Sequence, residues 1–318
     1  MTPPPSDHFN GKTFFFPGLR VERSLAEVLR WKLTSRGTKW KKWIEIQPPP
    51  LPRAPTGDEL VATLVNHATF LLQTSHGNLL TDPIFSDRCS PFRSIGPKRV
   101  HAPGVTFEKL PHIDAVLLSH DHYDHCDTAS LRRLALEHEP QFIAPLGHRD
   151  LLAQAGAKRI VELDWWETCE AWPGCKVTLT PSQHWTRRSV GRTNSRLWGG
   201  FDIEAGTRRV WFVGDSGYNE ALFQEIGRRC GAPDLALIPI GAYEPRWFMK
   251  TAHMNPEEAV KTHRESGARR SVAMHWGTFQ LTDEGRDDPV HELEKAREAA
   301  GIDANAFKVL QPGESVIA

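Results

Sequence analysis

The amino-acid sequence predicts an α/β protein, on two observations. Short apolar runs alternate with helical stretches from Leu60 onward, and several of those runs end in a histidine or an aspartate. Strand ends are where open α/β sheets build their sites. Leu60 to Thr74 and Leu79 to Thr81 have the composition of early strands. Ile113 to Ser119 is a nearly continuous apolar run, as expected of a buried strand. Asp127 stands where it can cap a helix bearing Leu131, Leu134 and Leu136. Further strands are expected at Gln141 to Ala144, Lys176 to Thr180, Arg209 to Val213, Leu235 to Ile240 and Ser271 to Met274. Helices fit 147–155, 220–229 and 255–265, the last with Asn255 as cap and Pro256 at the first helical position.

The segment His120-Asp121-His122-Tyr123-Asp124-His125 packs three imidazoles and the Asp124 carboxylate into six residues. Taken as extended chain, it puts His120 and His122 on one side and Asp124 on another, so one short loop can serve two neighbouring cations. Structural zinc sites are usually closed and cysteine-rich, whereas histidine and carboxylate sets with open positions are catalytic. The motif therefore points to a metal-dependent hydrolase.

Later strand ends supply the remaining ligands: His184 after Thr180-Pro181-Ser182-Gln183, Asp215 after Phe212-Val213-Gly214, and His275 after Val272-Ala273-Met274. One expected set is His120, His122, His184 and Asp215, and the other is Asp124, His125, His275 and the shared Asp215. A carboxylate bridging two cations suits an in-line displacement. A lone histidine beside a tryptophan, as in His184-Trp185 or His275-Trp276, is more often a packed core residue. Repetition of the pattern at successive strand ends is what favours ligation. His67 and Asp82 are expected outside the ligand set, Asp82 as a carboxylate that fixes the second ring nitrogen of a ligand. His8, His76, His138 and His291 read as surface residues.

Composition narrows the partners. The 318 residues suffice for one large α/β domain or two smaller ones. With 39 basic and 39 acidic residues no global field draws in nucleic acid, which is not an expected partner. Five cysteines without a Cys-X-X-Cys spacing read as reduced cytosolic thiols. The N-terminus lacks the features of a signal peptide, and no run approaches the ~20 apolar residues of a membrane span. The expectation is a cytoplasmic protein, soluble or peripheral on a membrane. Residues 1–55 differ from the rest. Eight Lys or Arg lie between Arg20 and Trp43, interleaved with Trp31, Trp40 and Trp43, and a short helix from about Ser24 to Leu33 places Leu25, Val28, Leu29 and Leu33 on one face. Residues 1–45 either contact a lipid surface or pack on the chain's own domain, 56–318, with a solvated basic edge. Pro48-Pro49-Pro50 is a stiff spacer between the two.

In this order the motif and the later ligands resemble the metallo-β-lactamase fold superfamily. Within it the chain resembles the N-acyl-phosphatidylethanolamine-hydrolysing phospholipase D family. The resemblance rests on His67-Ala68-Thr69, Leu80-Thr81-Asp82-Pro83-Ile84-Phe85, Ile95-Gly96-Pro97-Lys98-Arg99, Glu162-Leu163-Asp164-Trp165-Trp166, Pro181-Ser182-Gln183-His184-Trp185, the run from Ile238 to Met249, and His275-Trp276-Gly277-Thr278-Phe279. It covers about residue 60 to the C-terminus and is loose before that. It implies an αββα sandwich with a dinuclear zinc centre at one edge of two sheets, often as a homodimer. It also implies hydrolysis of the phosphodiester of N-acylphosphatidylethanolamine to an N-acylethanolamine and phosphatidic acid. Iron or manganese suits such a site as well.

Two divalent cations, Asp124, Asp215 and one bridging hydroxide leave a single positive charge, which a phosphodiester monoanion neutralises. Metal-held hydroxide then attacks phosphorus. His253, in Ala252-His253-Met254-Asn255-Pro256, is the candidate general acid for the leaving alkoxide; alternatively it caps or packs the helix that follows. Tyr123 either touches the substrate or orients its loop. Trp247, Phe248 and Met249, with the Trp-rich arm, are candidates to line an acyl-chain approach. The competing readings are a sugar-lactone hydrolase or a nuclease on the same fold, or a non-catalytic lipid-binding relative.

Overall fold

Successive side chains of a strand point to opposite faces, and Ala115 to Leu118 shows the consequence. Ala115 and Leu117 enter a core shared by two sheets, while Val116 and Leu118 enter a second core beneath two helices. The computed structural model describes residues 6–92, 94–188 and 193–318. One sheet holds β1 (Val61–Asn66), β2 (Thr69–Gln73), β3 (Asn78–Thr81), β4 (Ala115–Leu117), β5 (Gln141–Pro145) and β6 (Arg159–Leu163). The other holds β7 (Thr168–Trp172), β8 (Cys175–Thr180), β9 (Gly200–Ala205), β10 (Arg208–Phe212), β11 (Leu235–Pro239), β12 (Arg270–Met274) and β13 (Phe307–Lys308). The C-terminal β14 (Ser315–Ile317) returns to pair with β1, so the orders are β14-β1-β2-β3-β4-β5-β6 and β13-β12-β11-β10-β9-β8-β7.

The helices are α1 (Leu25–Thr34), α2 (Thr128–Glu137), α3 (Arg149–Gln154), α4 (Glu220–Cys230), α5 (Arg246–Met249), α6 (Pro256–Glu265) and α7 (Asp288–Ala300). Leu131 and Leu134 of α2 and Leu151 and Leu152 of α3 cover the first sheet. Leu136, expected on the same apolar face, lies on the opposite side of α2 and is exposed. Phe223 and Ile226 of α4, Val260 of α6 and Leu293 of α7 join the other core cluster, where α6 packs on β11 and contacts α4 and α7. The result is the αββα sandwich. Caps sit where the side-chain chemistry puts them: Asp127 accepts from Ala129 N, and Asn255 and Glu258 form a reciprocal capping box around Pro256.

Strand direction creates the site. β10, β11, β12 and β13 are mutually parallel, while β8 runs antiparallel to β9 and β9 to β10. β8, β10 and β12 therefore end at one edge. There Gly199 N donates to Ser119 O and His275 N donates to His67 O, which joins the sheets at the same edge.

The N-terminal segment lies on this body, and Met1 to Pro5 fall outside the described residues. Phe9 and Phe14 join the principal core. Among the histidines expected at the surface, His8 is buried: its ring stacks on Trp165 at 4.4 Å, Nε2 lies 2.7 Å from Asp164 Oδ1 and Nδ1 2.6 Å from Asp7 Oδ1. In α1 the buried residue is Trp31, which packs on Phe248 at 4.9 Å and donates from Nε1 to Asp283 Oδ1. Leu25, Leu29 and Leu33 are 70, 62 and 85% exposed and point away from the body, whereas Val28, expected on the same face, is half-buried against Trp31, Phe248 and Met249. No helix among the described residues is long and apolar enough to cross a membrane.

Burial alone would lower the His8 pKa, but Asp164 and Asp7 raise it above the ordinary imidazole value. A pKa raised by folding contributes stability that is present below the unfolded value and lost as pH rises through the folded one. His8→Gln is therefore expected to cost on the order of 1 kcal/mol at about pH 6 and less at about pH 9, read from thermal unfolding at both. Equal losses at the two values would contradict the charged pair.

Candidate metal centre

The motif after β4 is not extended throughout. His125 N and Cys126 N both donate to His122 O, so the chain closes a turn at His122 to Cys126. That turn, rather than the alternation of an extended strand, carries Asp124 and His125 toward the second cluster. His184 follows β8, Asp215 follows β10 and His275 directly follows β12.

Four overlapping groups result among the described residues: the two of four members are His120, His122, His184 and Asp215 in one, and His67, Asp124, His125 and His275 in the other, while the smaller two bring Asp82 to His120 and His125, and His253 to Asp215 and His275. In the first, His122 Nδ1 lies 3.0 Å from His120 Nε2 and 3.2 Å from His184 Nε2. In the second, His125 Nε2 and His275 Nε2 are 3.1 Å apart, and Asp124 Oδ2 lies 3.4 and 3.3 Å from them. Asp215 Oδ2 reaches both groups, at 3.8 Å from His120 and His184 Nε2 and at 3.2 and 3.3 Å from His125 and His275 Nε2. Its Oδ1 has no protein partner.

These distances test whether a metal fits. Donors about 2.0–2.1 Å from one tetrahedral ion stand roughly 3.3 Å from each other. Ring nitrogens at that spacing present lone pairs to one another unless a cation or proton lies between them. Three outward nitrogens are occupied: Ser119 Oγ holds His120 Nδ1 at 2.9 Å, Asp82 Oδ2 holds His125 Nδ1 at 2.7 Å, and Ala252 O accepts from His184 Nδ1 at 2.9 Å, whereas His275 Nδ1 is buried without a partner among the described residues. Such bonds select the tautomer that turns Nε2 inward.

The electrostatics agree. Burial pushes His120 and His184 well below the ordinary imidazole value, favouring neutral rings. Burial opposes charge on His125 and His275 too, but Asp215 and Asp124 raise the first well above that value and the second to about 9. Both carboxyls are held well below the usual range against burial, chiefly by His125. The centre demands positive charge, which protons or metal cations satisfy.

His67 Nε2 contacts Asp124 Oδ2 at 3.1 Å, and its ring lies 4.1 Å from that of His275. Asp82 also accepts from Ser119 N and Oγ, and is fully buried. His253 Nδ1 is 3.9 Å from Asp215 Oδ2, with its ring 5.1 Å from that of His184. Tyr123 donates to Arg188 O beneath the Arg188 guanidinium. Phe248 and Met249 pack under Trp31 of α1, and Trp247 is partly exposed beneath Arg30. Sequence reasoning missed Ser119, whose role depends on the loop path, and Asp121, whose buried carboxylate pairs with Arg196 at 2.8 Å. It also missed Trp185, edge-on to His122 at 4.9 Å, for which adjacency to His184 was the available signal.

Comparison with known proteins agrees with this geometry. A family model described as a beta-lactamase superfamily domain matches residues 77–276. A solved structure of Igni18, a metallo hydrolase from Ignicoccus hospitalis, aligns with a TM-score of 0.60 at 22% identity over 82% of this chain and 98% of that one. The chain is a metal-dependent hydrolase of this superfamily. The N-acyl-phosphatidylethanolamine-hydrolyzing phospholipase D 1 of Caenorhabditis elegans is 39% identical over 266 residues, 80% of this chain and 75% of that protein. An uncharacterized protein of Mycobacterium tuberculosis is 38% identical over 303 residues, 93% of this chain and 79% of its own length. This chain belongs to the N-acyl-phosphatidylethanolamine-hydrolysing phospholipase D family.

Asp82→Asn removes the charge and replaces one of two acceptor oxygens by an NH2 donor, so it can no longer accept from Ser119 N at one oxygen and from Ser119 Oγ and His125 Nδ1 at the other. The expected outcome is a loss of metal affinity of about 10- to 100-fold, measured by competition with a chromophoric chelator. Unchanged affinity would show that Asp82 merely fills space.

Proposed function

We propose that the protein is a zinc-dependent phosphodiesterase that hydrolyses N-acylphosphatidylethanolamine to an N-acylethanolamine and phosphatidic acid. The observation that carries this reading is Asp215 Oδ2, buried between two groups of imidazoles and within 3.8 Å of four of their nitrogens. The substrate is supported by the named activity of the C. elegans relative. In this reading His120, His122, His184 and Asp215 hold one Zn²⁺, and Asp124, His125, His275 and the same Asp215 hold the second. The two cations, when bound, supply Lewis acidity for a water and for the phosphoryl oxygens.

The chain's own residues do the rest. With Asp124 and Asp215 as the proposed ligand carboxylates against two divalent cations, the pocket would attract a monoanionic diester. Ser119 and Asp82 keep the His120 and His125 rings aimed, and His67 steadies Asp124. His253, beside His184, is the proposed proton donor to the departing alkoxide oxygen as the phosphorus–oxygen bond breaks; burial lowers its pKa to about 4, and the incoming phosphodiester anion is what would restore its proton. The Tyr123 hydroxyl is engaged by Arg188 O, so we give it a loop-orienting role. Leu25, Leu29 and Leu33 of α1, with Arg30 and Lys32 beside them, meet the lipid surface that holds the substrate.

Three outcomes test this. Turnover of N-acylphosphatidylethanolamine is expected to exceed that of a lactone or a short RNA under the same conditions; a preference for either of the latter would refute the substrate assignment. His253→Asn is expected to slow hydrolysis of an alkyl diester by about 10²- to 10⁴-fold and to spare one with a nitrophenolate leaving group, which needs no acid. Equal losses would remove His253 from proton delivery. Replacing Leu25, Leu29 and Leu33 together by Gln is expected to reduce turnover on vesicles while leaving a soluble diester unaffected, since each buried leucine contributes about 1.5–3 kcal/mol. Equal effects on both substrates would make the helix purely structural.

A further inference from the structure

The metal centre takes one of its walls from the segment Pro245 to Met254, and that segment is gripped from two sides. On the inner side His184 Nδ1 donates to Ala252 O at 2.9 Å, and Gln183 Nε2 donates to Thr251 O at 2.9 Å. His253 follows directly, with Nδ1 3.9 Å from Asp215 Oδ2. Gln183 is itself fixed by the loop after β10: its backbone N donates to Ser216 Oγ, its Oε1 accepts from Asn219 Nδ2 and its carbonyl accepts from Gly217 N. The direction of His184 therefore depends on where two successive carbonyls, those of Thr251 and Ala252, are held.

On the outer side the grip is Arg23, which stands directly before Ser24, the N-cap of α1. Its Nε donates to Phe248 O at 2.7 Å, and its Nη2 donates to Thr251 Oγ1 at 3.0 Å and to Trp247 O at 3.4 Å. α5 is a single turn, so its carbonyls must find partners outside the helix. Arg246 O accepts from Lys250 N, and Met249 O accepts from Ala252 N and His253 N. Among the described residues the carbonyls of Trp247 and Phe248 accept from Arg23 alone.

The Arg23 side chain is 17% exposed, with Glu27 as its carboxylate partner at 3.3 Å. A guanidinium is a planar fork that can serve several acceptors at once, which suits a clamp on one segment. Thr251 completes the link, since its hydroxyl accepts from Arg23 while its carbonyl accepts from Gln183. Packing leaves no slack at that point: a side chain on Gly217 would meet Thr251 O at 2.4 Å and Gln183 Nε2 at 2.6 Å.

We propose that Arg23 is a positioning residue of the metal centre, which through Phe248 O and Thr251 fixes the carbonyl that aims His184 and the backbone that carries His253. This rests on the zinc reading of the centre given above. The effect is confined to one of the two ions. In the other group His125 is held by Asp82 and the backbone of His275 by His67 O, neither of which is a partner of Arg23.

Zinc affinities of the full chain, resolved for the two ions by competition with a chromophoric chelator, test that selectivity. The ion held by His120, His122 and His184 is identified as the one weakened most in His184→Ala. Arg23→Gln is expected to weaken this ion about 3- to 10-fold, less than the roughly 10- to 100-fold of a residue that bonds a ligand directly, and to leave the other unchanged. Thr251→Val combined with Arg23→Gln is expected to cost less than the two separate losses together. Arg20→Gln, an exposed cation of the same N-terminal segment, is expected to change neither ion. Amide hydrogen exchange reads the same link without metal. Protection of His253 N and Met254 N, bonded to Met249 O and Ser216 O, is expected to fall about 3- to 10-fold in Arg23→Gln while that of the β11 amides is unchanged. Equal effects on the two ions, including none, or unaltered exchange at His253 and Met254, would overturn the proposal. A wild-type chain that holds fewer than two zinc ions would overturn the zinc reading alone, and the exchange measurement would still decide for or against Arg23.

Discussion

Asp215 is the constraint on which the rest of the site depends. Its carboxylate is 2% exposed, yet it stands among His120, His125, His184 and His275, and one oxygen has no protein partner. A buried, unneutralised carboxylate is costly in a low-dielectric interior. The fold tolerates it because the surrounding imidazoles, and the metal we propose they hold, return the missing charge. That single requirement explains why ligands come from both sheets. No one strand end can bring four ring nitrogens to a common carboxylate, but the strand ends of two sheets packed face to face can.

The backbone is distorted to meet this requirement. His67, Asp82 and His275 adopt positive φ values of 45°, 33° and 61°, a region that side chains with a Cβ seldom occupy. Strain of this kind persists only where its surroundings over-determine it, and it gathers at functional sites. All three residues lie at the centre or directly behind it. Two glycines allow the close packing that holds them. A side chain on Gly241 would meet His275 O at 2.0 Å, and one on Gly214, just before Asp215, would meet Gly199 O at 2.7 Å. Loop-to-loop contact at the sheet edge thus fixes the direction of these side chains.

Much of this was legible in the sequence, for identifiable reasons. Strands buried on both faces, such as β4, β11 and β12, announce themselves as apolar runs, and their ends mark His120 and His275. Capped helices were equally visible at Asp127 and Asn255. The edge strands β6 and β7 were not, because their residues are mostly exposed or half-buried and form no apolar run. β9 was obscured by Asp202 and Glu204, which pair with Arg209 of its neighbour. α7 buries little beyond Pro289 and Leu293 and therefore lacked a periodic signal. At the site, residue identity was readable but direction was not. The turn at His122 to Cys126 and the burial of His8 against Trp165 depend on contacts far apart in sequence.

The shared carboxylate is the claim most open to direct measurement. Diffraction from crystals of the zinc-reconstituted protein, recorded on both sides of the zinc absorption edge, locates bound zinc independently of activity. The account predicts two anomalous peaks about 3.5–4 Å apart with the Asp215 carboxylate between them. A single peak, or a pair that leaves Asp215 uncoordinated, would contradict it.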